Sequence, residues 1–114
     1  MANKAITVVK TAAPNTPVTI TPVTAAANDV FVVPCNFKDE HTFFIATAAT
    51  ATTIEVQAGD GYAAVNPETI AIPAGTCVFT IDSARFKNLT GDNKGKVLIK
   101  AGGAVDLSVA EARV

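Results

Sequence analysis

Apolar and polar residues alternate with a period of two along much of this chain, and Gly, Pro, Asn and Asp reset the alternation. Ile54 and Val56 flank Glu55, with Gln57 following, so the apolar pair faces one side of a strand and the polar pair faces water. Gly59, Asp60 and Gly61 end this run, the glycines supplying positive-φ freedom and the aspartate a side chain able to bond its own backbone. Ile70 and Ile72 alternate again. Pro73, Ala74 and Gly75 interrupt them before Cys77, Phe79 and Ile81 resume the inward pattern, with Val78 and Thr80 opposite. Asp82 or Ser83 then caps a single turn from Ser83 to Phe86, with Arg85 and Lys87 outside.

The rest of the chain extends the pattern. Ile6 and Val8 form a first short strand between Lys4 and Lys10, whose charges suit a sheet edge or a chain end. Val18, Ile20 and Val23 predict a second strand, which Pro22 confines to an edge or a bulge because proline donates nothing to a ladder. Val30 to Cys35 is a nearly continuous apolar run that fits a strand buried on both faces, and Phe43, Phe44 and Ile45 predict a core strand. The tract from Ala46 to Thr53 has no bulky residue from Ala46 on. It suits either a mobile loop or close packing against a neighbour. Gly91 and Gly95 sit at predicted positive-φ positions of a polar loop, and Val97, Ile99, Val105, Leu107 and Val109 alternate inward in the last strands, with Gly102 and Gly103 between them.

Short strands with turn signals between them, and no helical period of useful length, predict an all-β fold. The expected form is an antiparallel β-sandwich of immunoglobulin-like architecture or a small barrel, occupying residues 1–114 as one domain with 1–10 as an arm or edge strand. A chain of 114 residues is of a size to build one core. The absence of Trp removes the Cys, Trp, Cys order of antibody domains, so the likeness is one of architecture.

Composition narrows function. Charged residues are 17% and apolar residues 49%, which argues against disorder. Nine Lys and Arg are spread singly and offset by ten acids, so no basic face for nucleic acid is expected. No run approaches the roughly 20 apolar residues that span a bilayer, so no membrane partner is expected. With no signal-like apolar block after Lys4, cytosolic synthesis and reduced Cys35 and Cys77 are the expectation. The alternative is a Cys35–Cys77 bridge, worth roughly 4 kcal/mol in the chain-entropy account.

Catalytic, metal and cofactor sites are all read as none. His41 is the sole histidine, and beside Glu40 it reads as a polar residue at a strand start. No CxxC or HxxxH spacing supports zinc. Asp60 and Asp92 lack the regular calcium-loop spacing, and Ser83 lacks a G-x-S-x-G frame.

The segments AGDGY, PETIAIPAG, DSARFK and KGKVLIKA, all in the second half, together resemble the capsid decoration (cement) proteins and related head-surface proteins of tailed bacteriophages. The resemblance implies a non-enzymatic β domain on the outer surface of an assembled virion, built in the host cytoplasm, with the major capsid protein as partner and a homo-oligomer on the shell as a further possibility. Candidate partner contacts are Lys4, Ile6 and Val8 of the N-terminal arm, Thr50 and Thr52 of the Ala and Thr tract, Tyr62, and Arg85 on its tight turn. The other reading is a carbohydrate-binding or adhesion module of a tail or fibre. It turns on Tyr62 as the exposed aromatic.

Overall fold

Period-two alternation buries one face of each strand, and such faces are stable only when two sheets close over one another. The chain does this with short strands and short crossings. The structure, a computed structural model, describes residues 2–11, 14–35, 37–60 and 66–112. Its strands are β1 (Asn3–Ala5), β2 (Val8–Lys10), β3 (Val23–Ala25), β4 (Val30–Pro34), β5 (Thr42–Ala48), β6 (Thr52–Val56), β7 (Glu68–Ile72), β8 (Gly75–Phe79), β9 (Lys96–Ala101) and β10 (Val105–Glu111). A 3-10 turn covers Asp39–His41 and a one-turn helix, α1, covers Ser83–Phe86.

From β3 onward the chain is a long hairpin rolled across two sheets. β3 pairs with β10, β4 with β9, β5 with β8 and β6 with β7, all antiparallel. Successive pairs fall in alternate sheets, and β5–β10 and β6–β9 pairings stitch them into β3–β10–β5–β8 and β4–β9–β6–β7. That nesting of first strand with last is jelly-roll order. The predicted all-strand sandwich therefore forms, with jelly-roll rather than immunoglobulin connectivity and without closing into a barrel. The reason lies in the connections: segments 26–29, 49–51, 73–74 and 102–104 each carry the chain from one sheet to the other at the same end of the sandwich.

The N-terminal strands add parallel pairings. β1 lies along β4 at the edge of the first sheet, and β2 lies along β10 in the second. β2 and β3 share one side of β10, opposing 109–111 and 105–107 respectively. Between β1 and β2 the chain changes sheets, Ile6 is buried in the core, and its N–H donates to the Val32 carbonyl at 3.0 Å.

The core lies between the inner faces. Phe31, Val33, Ile54, Val56, Ile72, Val97 and Ile99 from one sheet meet Phe44, Ala46, Leu107 and Val109 from the other. Phe44 stacks on Phe79 at 5.3 Å between ring centroids and meets Phe37 edge-on at 6.2 Å. Burying each of the largest side chains contributes about 1.5–3 kcal/mol. Phe86 closes the far end from α1, whose Asp82 cap accepts the Ala84 N–H at 3.2 Å, as its position predicts.

Four strand expectations change. Ile6 and Val8 do not share a strand: Ile6 lies in the crossing between β1 and β2, which belong to different sheets. Only Val23–Ala25 of the second run is a strand, since Pro17 and Pro22 deprive the preceding segment of donors. Val30–Pro34 alternates instead of burying both faces, because β4 has the sandwich on one side only. Phe43 points outward and is 43% exposed, since its neighbours Thr42 and Phe44 already take the inward positions.

Candidate docking surface

The two outer faces of the sandwich differ in charge. On the first sheet, the outward residues of β9 are Lys96, Leu98 and Lys100, with Glu55 of β6 opposite Lys100. On the second sheet, β5 presents Phe43, Ile45 and Thr47, alternating with buried Thr42, Phe44, Ala46 and Ala48. Ile45 stands between Val78 on β8 and Ser108 on β10, Phe43 stands beside Ala110, and Ala110 stands beside Val9 on β2. Thr47 and Thr76 join their hydroxyls at 3.0 Å. Asp106, opposite Thr47 and Thr24, is the one charged strand residue on this face among the described residues. Val78 is 59% exposed. An apolar patch of this kind on one face is the usual mark of an interaction surface.

The surface continues around the crossing end. Ala49, Thr50, Ala51 and Thr52 line a shallow open depression with Gly103 and Ala104. A second depression joins it to Thr24, Thr47 and Asp106 on the second sheet. The backbone is packed tightly here: a Cβ at Gly102 would lie 2.7 Å from the Thr53 carbonyl oxygen, and the Gly102 N–H donates to that oxygen at 2.8 Å. The Ala and Thr tract is thus strand and tight crossing: Ala46 and Ala48 are buried in the core, and Thr47, Ala49, Thr50, Ala51 and Thr53 face solvent.

The candidate contacts fall in three groups. Thr50 is exposed and Thr52 half-buried, both in the depression. Ile6 is in the core, Val8 packs against the core, and Lys4 is half-buried in the β1 edge, so residues 2–10 strap the sandwich instead of extending from it. Arg85 is at the opposite end, where its guanidinium lies 5.1 Å from the Phe86 ring centre and 3.6 Å from Glu68. Asp82, three residues before Arg85, uses its carboxylate to cap α1. Tyr62 lies outside the described residues.

At the Arg85 end, polar groups tie loops together. Asp60 accepts the Leu89 N–H and the Thr90 hydroxyl, and these bonds hold its carboxyl below the ordinary carboxylate range. Asp39 accepts the Ser83 N–H at 2.9 Å. Gly59 is needed here for close approach and not for positive φ, since a Cβ would lie 2.4 Å from the Lys87 carbonyl oxygen. Both cysteines are free. Burial pushes the Cys35 thiol up to about 12, and it donates to the Val33 carbonyl at 3.6 Å. Among the described residues, no group of three or more His, Cys, Asp or Glu is placed to hold a metal ion, and no helix is long and apolar enough to cross a membrane.

The alternation along the chain puts Val78 outside, as found, but the apolar cluster puts Phe43 in the core with its neighbours. The signal for the outward face was strict alternation through Thr42–Ala48, which a cluster of three large apolar residues conceals. No family profile, curated protein or solved structure matches the chain.

Proposed function

We propose that this protein is a structural binding module of a tailed-phage virion, a decoration or cement protein that docks on the outer surface of the assembled capsid. The observation that carries the reading is the near-absence of charge on the outer face of the second sheet, where Phe43 and Val78 are exposed and Ile45 between them is half-buried. Desolvating such a face costs little, and a contact of about 1,000 Å² is the size a specific interface needs. The resemblance of the second-half segments to decoration proteins supports the same reading. Jelly-roll order recurs in viral capsid domains, a point of analogy only.

Docking would act by mass action. A module that binds the assembled lattice and not free subunits stabilises each site by RT ln(1 + [L]/Kd), about 2.7 kcal/mol at a hundredfold excess over Kd. Repetition over the shell would resist internal pressure.

The test is co-sedimentation with assembled shells and with unassembled major capsid protein from the same genome. Pelleting with shells, at least tenfold weaker in F43D, supports the proposal. Equal binding to shells and free subunits, or no binding to either, overturns it.

A further inference from the structure

The open edges of the two sheets are protected unequally. An edge strand displays unpaired N–H and C=O groups and invites pairing with another strand unless charge, proline or shortness blunts it. β1 carries Lys4, β2 carries Lys10, β7 begins at Glu68 and is followed by Pro73, and β3 is three residues long and preceded by Pro22. β8 has none of these. It runs Gly75, Thr76, Cys77, Val78, Phe79, pairs among the described residues with β5 alone, and leaves Val78 exposed at the rim of a face whose one charged strand residue is Asp106.

We infer that β8 is a self-pairing edge, at which a second copy of this chain adds its own β8 antiparallel and joins the two second sheets into one. A twofold axis makes the contact isologous, so the patch must complement itself. Full overlap of the five residues sets Gly75 against Phe79 of the other copy, Thr76 against Val78, and Cys77 against Cys77. No charged residue lies in this seam: β8 holds none, and the first charge after it, Asp82, comes three residues past Phe79. In any other edge strand of comparable length the same operation would bring Glu68 into the seam. The outer faces then merge, bringing Ile45 and Val78 of both copies together as one apolar seam, with each Asp106 two strands away on β10. A seam about 17 Å long, five residues at the usual strand rise, is short for a stable dimer, so association belongs to the weak, concentration-dependent class. The inference stands apart from the docking proposal, since it concerns this chain alone.

Cys77 reports on the pairing. Directly opposed residues of an antiparallel pair have Cα atoms about 4.5–5.5 Å apart, inside the range that a disulfide spans. Cys35 is buried and cannot supply the same link. The experiment is mild oxidation of the purified protein across a range of concentrations, read on a non-reducing gel, beside sedimentation velocity under reducing conditions. Expected are a reversible dimer that grows with concentration and a covalent dimer that is absent in C77S. V78K alters a side chain 59% exposed, so the fold persists by circular dichroism while both dimers fall at least tenfold. A monomer at every concentration up to about 1 mM overturns the inference, as does a covalent dimer undiminished in V78K, which would mark random collision. A protein that is monomeric alone but takes up a strand of shell protein at β8 overturns it equally, in favour of a foreign occupant.

Discussion

Glu111, at the end of β10, is paired with Lys10, at the end of β2, at 3.5 Å. The two stand opposite one another in the parallel β2–β10 register. Glu111 is only 6% exposed and also accepts the Lys38 N–H at 2.7 Å. One carboxylate thus ties the N-terminal strap, the last strand and the turn before β5. An isolated ion pair near a surface contributes little, but removing one partner of a buried group leaves the remaining donors without their acceptor.

E111A is therefore expected to cost about 3 kcal/mol, and E111Q less, since the amide oxygen keeps an acceptor for Lys38. Urea denaturation of the three proteins checks this. Equal midpoints for E111A and the parent would show that the strap is held by Ile6 and the β2 ladder alone.

Much of the fold was legible because burial follows alternation where each strand has one wet face. Ile54 and Val56, Val97 and Ile99, and Val105, Leu107 and Val109 alternate inward in the sequence and are buried. Gly91 and Gly95 stand where a polar loop needs positive φ, and both adopt it. The pairing order was not legible, since Pro73 and Ala74 would look the same in a hairpin turn as in the crossing between β7 and β8 that they form. Clusters misled too: Val30–Cys35 and Phe43–Ile45 read as buried throughout, although a single core takes only every second residue. The charge difference between the outer faces depends on which strands are neighbours, so it emerges only with the register.

Phe43 and Phe44 are adjacent in sequence and opposite in role. F44A empties a site stacked on Phe79 and is expected to cost about 3–5 kcal/mol. F43A removes a ring that is 43% exposed and is expected to change stability by under about 1 kcal/mol. Chemical denaturation of both variants decides between this assignment and a core in which both rings are buried. Similar losses would favour the latter.

Asp29 anchors the other end of the strap. Its carboxylate accepts the Ala26 N–H at 3.0 Å and the Ala2 N–H at 2.9 Å, and these bonds lower its pKa. A carboxylate depressed in the folded state contributes stability that is present above its unfolded pKa and is lost as pH falls through the folded one. The anchor is thus intact at neutral pH and released only below about pH 4. Amide hydrogen exchange at Ala2 and Ala26 is expected to accelerate, relative to the core strands, on acidification through that range. In D29N the same two amides should exchange faster already at neutral pH. Unchanged protection in D29N would assign the anchoring to the β1–β4 ladder instead.

Gly59 gives the sharpest test of packing at the Arg85 end. Its Cβ position is 2.4 Å from the Lys87 carbonyl oxygen and 2.8 Å from the Phe86 carbonyl carbon, both backbone atoms that cannot swing aside as a side chain tip can. Its N–H also donates to the Arg85 carbonyl at 3.4 Å, so the strand end and α1 are pressed directly together. Insertion of one methyl into a closed contact typically costs about 1–3 kcal/mol through displaced backbone. G59A is expected to fall in that range and to loosen the neighbouring Asp60 bonds to Leu89 and Thr90, which depend on the same approach. Gly91 provides the control, because a Cβ there meets nothing within 4 Å and its φ of +77° carries only the local cost of a left-handed residue, about 1–2 kcal/mol. Thermal melts measure both losses, and hydrogen exchange at Leu89 separates them: protection there should drop in G59A and be retained in G91A. Retained protection at Leu89 in G59A would mean that the loop and α1 are not in direct backbone contact.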